Sequence, residues 1–338
     1  MNGNVAIEAI AYDLPFHRIS SEFIEAQLSD SMARLRIPPG QLIGLTGIRE
    51  RRFYPPGVMP SDVATRVARK VMEMTSIDPV KIGCLISTSV CKDYVEPSVA
   101  ALVHGNLGLP STCLNFDISN ACLGFITGMN NVIMMIETGM IQYGIVVAGE
   151  GSREPVEATI HRLQSPETTV RDFFNNFATL TLGSGAAAIL LCHKEISHTN
   201  HIINGSVSLS ATEHCRLCLG QKDQMIADAA NVMIHGVELA YQTWNLAEKT
   251  IENWSDQTIH HYIPHQVSLR NMEALTKKLK ITPEKAHLNF QKLGNIGPAA
   301  IPITLGMAEE EKQLMPGDHI ALMGIGSGLN CTMMSVTW

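Results

Sequence analysis

The stretch FDISNACLGFITGM, residues 116–129, decides how this chain is read. A strand-like run at 114–116 breaks at Asp117-Ile118-Ser119-Asn120, and Cys122 then opens an apolar helix. A thiol at such a junction meets unpaired backbone N–H groups and the positive end of a helix dipole, both of which favour thiolate. The same N–H groups can hold an oxyanion, so the pattern suits acyl transfer through a nucleophilic cysteine. A buried structural cysteine is the alternative, and the rest of the chain has to decide between them.

At 338 residues, with 45% hydrophobic, 17% charged and 5% aromatic residues, the chain has the composition of a well-packed globular enzyme. A formal charge of −7 argues against a nucleic-acid partner, and the only basic cluster, Arg49-Glu50-Arg51-Arg52, is interrupted by a carboxylate. No apolar run of about 18 residues is present, so membrane insertion is not expected. The start MNGNVAIEAIAYDL lacks the basic-then-apolar pattern of a signal peptide, which makes the cytoplasm the expected location. Eight scattered cysteines fit reduced core thiols. Cys215 and Cys218 form a CxxC beside His214, but no second ligand pair follows, so no metal is expected.

Val- and Ile-rich runs alternate with helical patterns, the mark of an α/β fold. Ser61-Asp62 after Pro60 reads as a cap for a helix with Val63, Val67 and Val71 on one face. Strands are expected at 85–90, 114–116, 144–148 and 186–191. The second half shows the same order. Residues 262–267 echo 85–90, residues 288–290 echo 114–116, and Gly326-Ser327-Gly328 echoes Gly183-Ser184-Gly185. Two related halves, 1–196 and 197–338, are therefore expected. Packed about a pseudo-twofold axis, they bring Cys122 to face the loop Gly294-Asn295-Ile296-Gly297-Pro298 and a strand end carrying His265.

His265 lies in YIPHQVS, where a strand should end and a helix capped by Ser268 begin, with Met272, Leu275 and Leu279 on its inner face. Strand ends are where α/β proteins place functional side chains. Asn295, in LGNIGPAAIP, sits in a turn-like setting with an apolar helix directly behind it. The closing LMGIGSGLNC does not match a dinucleotide loop, because no helix or later acidic residue follows. A backbone N–H at Ser327 aimed at a carbonyl oxygen fits better. A nucleotide-binding oxidoreductase is thus a remote alternative.

These features resemble the thiolase superfamily in its 3-oxoacyl-acyl-carrier-protein synthase III branch, through TGIRER (46–51), NACLGF (120–125), LGSGAAA (182–188), IPHQ (263–266), GNIGPA (294–299) and GIGSG. The resemblance implies a duplicated αβαβα five-layer sandwich. It also implies Cys122 as acylated nucleophile, His265 and Asn295 as the pair that polarises a second thioester, and the N–H groups of Cys122 and Ser327 as an oxyanion hole. No cofactor is implied beyond the coenzyme A thioester substrates.

One departure bears on the substrate. The loop before Pro97-Ser98 reads Asp93-Tyr94-Val95-Glu96, with a carboxylate 26 positions ahead of the nucleophile, where carrier-protein-dependent synthases usually carry an apolar aromatic residue. That carboxylate is similar to the one in olefin-pathway condensing enzymes (OleA type), as are SATEHCRLC (210–218) and LMGIGSGLNC, which has Met323 where that type has leucine. Malonyl substrates form a carbanion by losing CO2, whereas a saturated acyl thioester needs a base for its α-proton. Glu96, reaching the partner's site across a homodimer interface, would supply it with its pKa raised by burial. A surface carboxylate or an interface ion pair is the other reading of Glu96. The expected reaction is head-to-head Claisen joining of two fatty acyl-CoA molecules. The alternative is a decarboxylative synthase using malonyl-CoA or malonyl-carrier protein with acyl-CoA or acyl-carrier protein. A silent scaffold paired with an active homologue is a third reading.

Overall fold

The computed structural model describes residues 3–338. Nine strands share one sheet: β1 (Val5–Asp13), β2 (Ile82–Ser87), β3 (Leu114–Asp117), β4 (Tyr143–Glu150), β5 (Gly185–His193), β6 (His201–Ser210), β7 (His261–Pro264), β8 (His319–Gly326) and β9 (Asn330–Thr337). Their order is β7-β8-β9-β6-β1-β5-β4-β2-β3. At the centre β1 and β6 pair antiparallel over Val5–Ile203, Ala6–Ile202 and Ile7–His201. Outward from that seam, both wings run first strand, last strand, next-to-last, then second. The first wing adds β3 at its edge, while the second has there only an isolated bridge between Tyr262 and Ala286.

Both faces of each wing are covered, which is why its strands read as apolar runs rather than alternating ones. Helices α1 (Pro60–Thr75) and α2 (Val99–Leu107) set Val63, Val67, Val71 and Val103 against the outward residues Leu85, Ile145, Val147 and Leu190. The inward residues Ile86, Val146 and Ile189 meet Phe125, Met129 and Val132 of α3 (Gly124–Glu137). From the second half, α4 (Ala229–Thr250) and α5 (Leu269–Leu279) bury Leu239, Trp244, Leu275 and Leu279 against Tyr262, Ala321 and Met333. Last comes α6 (Ala300–Glu310), whose Ile301, Ile303 and Leu305 share the central layer with α3. Each fully buried Val, Leu or Ile contributes about 1.5–3 kcal/mol. The result is the expected five-layer αβαβα sandwich.

Three local expectations are corrected. The cap of α1 is Met59, whose N–H donates to the Asp62 carboxylate at 3.0 Å, while Ser61 is buried inside the first turn. Strand β2 stops at Ser87 rather than 90, because the N–H of Val90 donates to the Glu150 carboxylate at 2.8 Å and not to a neighbouring strand. Residues 288–290 form no strand. The side chain of Gln266 accepts from Asn289 N (2.8 Å) and Phe290 N (3.1 Å), and Phe290 starts a single helical turn instead.

Ser268 does cap α5, its hydroxyl accepting from Asn271 N at 3.2 Å. Of the methionines after Cys122, Met129 is buried in the central layer, while Met134 and Met140 are exposed. No described helix is long and apolar enough to cross a membrane.

Candidate active site

The Cys122 turn is built from both wings. Ala121–Leu123 make one 3-10 turn between β3 and α3, and α3 itself begins only at Gly124. Ala121 adopts φ +46°, a left-handed conformation uncommon outside glycine and costly unless its surroundings enforce it. They do so here: Asn330 Nδ2 at the start of β9 donates to Asn120 Oδ1 at 3.0 Å, and Asn120 Nδ2 donates to Thr127 Oγ1 at 3.0 Å.

The thiol itself departs from the sequence reading. Cys122 retains some residue-level exposure, yet its sulfur is enclosed and burial pushes it up to about 12. The neighbouring Cys218 and Glu150 push it the same way, and a hydrogen bond from its own backbone opposes them. Burial therefore opposes the ionisation that the helix start favours. Cys218, from the CxxC, is a free thiol at the start of a two-stranded ribbon (Cys218–Gly220 with Met225–Ala227).

His265 follows β7 directly, and its N–H donates to Met323 O of β8 at 2.8 Å. Gln266 anchors it by donating to His287 O (3.0 Å) and Thr304 Oγ1 (3.2 Å) while accepting the two N–H groups named above. The imidazole is 5% exposed, and burial lowers its pKa to about 4, so it is neutral at physiological pH. Its Nδ1 is buried with no hydrogen-bond partner.

Asn295 is gripped by its backbone, donating to Thr181 O (2.9 Å) and accepting from Gly183 N (2.8 Å), and its Oδ1 accepts from Gly297 N at 3.0 Å. The turn Gly297–Ala299 that follows packs on the Cys122 turn. Behind this loop lies Arg51 of TGIRER, fully buried and donating to Ser21 Oγ (3.1 Å) and Leu180 O (3.0 Å).

Strand β8 brings the glycine-rich terminus to the same turn. A Cβ at Gly326 would lie 2.9 Å from Leu123 N and 3.0 Å from Asn120 O, so only glycine lets β8 approach this closely, with Ser327 next in line. Gly326→Ala is expected to leave the fold intact but slow acylation of Cys122 by roughly 10–100-fold, since displacements well under 1 Å misalign reacting atoms. Intact-mass time courses would measure it.

The structure thus gathers the loops carrying Cys122, His265, Asn295 and Ser327. Glu96 stands apart. It is exposed at the tip of a loop whose Val95 is 99% exposed, away from the gathered loops. Sequence reasoning passed over Glu150, which is 3% exposed and ends the apolar strand β4. A carboxylate closing an otherwise apolar strand was the available signal. Burial raises its pKa to about 7, against the lowering effect of the N–H groups of Val90 and Cys91.

Halves of one duplicated fold that close around a buried thiol from opposite sides are the design of thiolase-like acyltransferases, and this protein is one of that class. Residues 116–209 match the 3-oxoacyl-[acyl-carrier-protein] synthase III family, and residues 250–338 match that family's C-terminal region. The chain belongs to this family. It is 42% identical over 336 residues, 99% of both chains, to an acyl-CoA:acyl-CoA alkyltransferase of Xanthomonas campestris pv. campestris. It is 38% identical over 348 residues, again 99% of both, to the acyl-CoA:acyl-CoA alkyltransferase of Shewanella oneidensis. A crystal structure of a cysteine-to-serine variant of Xanthomonas campestris OleA with bound lauric acid and lauroyl-CoA superposes with TM-score 0.98, at 40% identity and covering 100% of each chain.

Proposed function

We propose that the protein joins two fatty acyl-CoA molecules head to head by a Claisen condensation without decarboxylation. Cys122 takes the acyl group of the first, releasing coenzyme A. The second binds with its thioester oxygen near His265 and Asn295. Loss of its α-proton gives an enolate that attacks the Cys122 thioester, and the product is a 2-alkyl-3-oxoacyl thioester or the acid formed by its hydrolysis. The backbone N–H groups of Cys122 and Ser327 hold the oxyanion. A neutral His265 suits this scheme, because it donates a hydrogen bond to a developing enolate without presenting a fixed charge.

The observation that carries the reading is Glu96. In this chain it is exposed on a protruding loop, as a base destined for a partner subunit would be before dimerisation. We assign it the α-proton, in trans, within a homodimer. The near full-length likeness to acyl-CoA:acyl-CoA alkyltransferases supports this over malonyl-dependent condensation, which needs no such base. The halves meet at 196/197, the first supplying the nucleophile and the second His265 and Asn295. The scheme uses a nucleophile, a base and oxyanion donors, so it requires no metal or cofactor, and we infer a cytoplasmic enzyme that meets acyl-CoA there.

Incubation with a single long-chain acyl-CoA tests the proposal. Cys122 should gain one acyl mass, and the product should contain two alkyl chains and form with no malonyl-CoA present. A product requiring malonyl-CoA would overturn it.

A further inference from the structure

One buried carboxylate touches the loops of two of the residues discussed above and acts electrostatically on a third. Glu150 accepts from Val90 N at 2.8 Å and Cys91 N at 3.1 Å, at the root of the loop that carries Glu96. Its carboxyl group lies 3.8–3.9 Å from where a Cβ on Gly297 would stand, and Gly297 is the residue whose N–H holds the Asn295 side chain. Its charge also acts on the Cys122 thiol. No salt bridge neutralises it among the described residues. Burying a carboxylate without a cation is costly, and two backbone N–H groups and the Cys91 thiol offset only part of that.

The remainder of the loop is fastened by other carboxylates. Asp93 accepts from Ser61 N at 3.0 Å. Asp117 accepts from Lys92 Nζ (3.0 Å), Val99 N (3.2 Å) and Ala100 N (2.9 Å). Residues 94–97 are left as an exposed tip between two fixed ends. Asp117 ties the loop to the strand that leads into the Cys122 turn, and Glu150 ties the loop's root to the Asn295 side of the site.

We propose that Glu150 is a positioning residue for condensation, clamping the root of the Glu96 loop against the turns that carry Cys122 and Asn295. The inference rests on Glu96 acting as the base. As a carboxylate, Glu150 accepts both N–H groups. Once protonated it presents a donor that neither N–H can accept, and the grip on the loop weakens. The titratable groups facing it are the thiols of Cys91 and Cys122, with Glu154 acting on Cys91.

The test compares wild type, Glu150→Gln and Glu150→Asp, each shown folded by thermal melting, in three readouts: Cys122 acylation by intact mass, two-chain product, and the pH dependence of condensation. Glu150→Gln keeps the shape but replaces one acceptor with NH2. It is expected to acylate Cys122 within about threefold of wild type while condensing at least tenfold more slowly. Wild-type condensation should fall as pH drops through about 7, and Glu150→Gln should lose that dependence. Glu150→Asp, still an anion, should recover part of the rate. Wild-type condensation by Glu150→Gln, an equal loss in both half-reactions, or an unchanged pH profile would each overturn the inference. Failure of the Claisen reading itself looks different, because wild type would then form no two-chain product.

Discussion

Replacing Cys122 by serine is expected to lower condensation by on the order of 10^4-fold or more, with no acyl-enzyme detectable by intact mass. A hydroxyl is a far poorer nucleophile than a thiol, and the surroundings provide no standing charge that would ionise it. The native thiol is itself held up at about 12 by burial. Its proton must therefore leave as the S–C bond forms. A second measurement separates this from a pre-formed thiolate. Alkylation of Cys122 by iodoacetamide should rise about tenfold per pH unit from pH 7 to 10 without a plateau. A plateau beginning below pH 8 would show that the helix start does ionise the sulfur.

Glu96→Ala is the second large effect. Removing a general base typically costs 10^2–10^4-fold, so two-chain product should fall by about 10^3-fold. Acylation of Cys122 should stay within roughly threefold of wild type, because the first half-reaction uses no α-proton. Mixing the Cys122→Ser and Glu96→Ala chains provides a test of action in trans. In mixed dimers one site regains an intact cysteine and a partner's carboxylate, restoring roughly a quarter of wild-type activity at equal mixing. No recovery on mixing would place the base within its own chain, or show that Glu96 is no base.

How much of this was legible in the sequence depends on how local each feature is. The apolar runs of β2, β4 and β5, the face Val63-Val67-Val71 and the Ser268 cap depend on neighbours a few residues away, so period and composition revealed them. The loops of Cys122, His265 and Asn295 were also readable, because glycines and helix starts mark sharp turns in any α/β chain. Residues 288–290 echo a strand without forming one, because the N–H groups of Asn289 and Phe290 are claimed by Gln266, more than 20 positions earlier.

The sequence alone determined a duplicated α/β fold and the residue types able to run thioester chemistry. Tertiary structure decided their electrical state. It made the Cys122 thiol hard to ionise and the His265 imidazole neutral, and it put the Glu150 carboxyl near the midpoint of its titration. Ionisation answers to everything packed around a group, and residues from Asn120 to Asn330 assemble that surrounding only when the chain is folded.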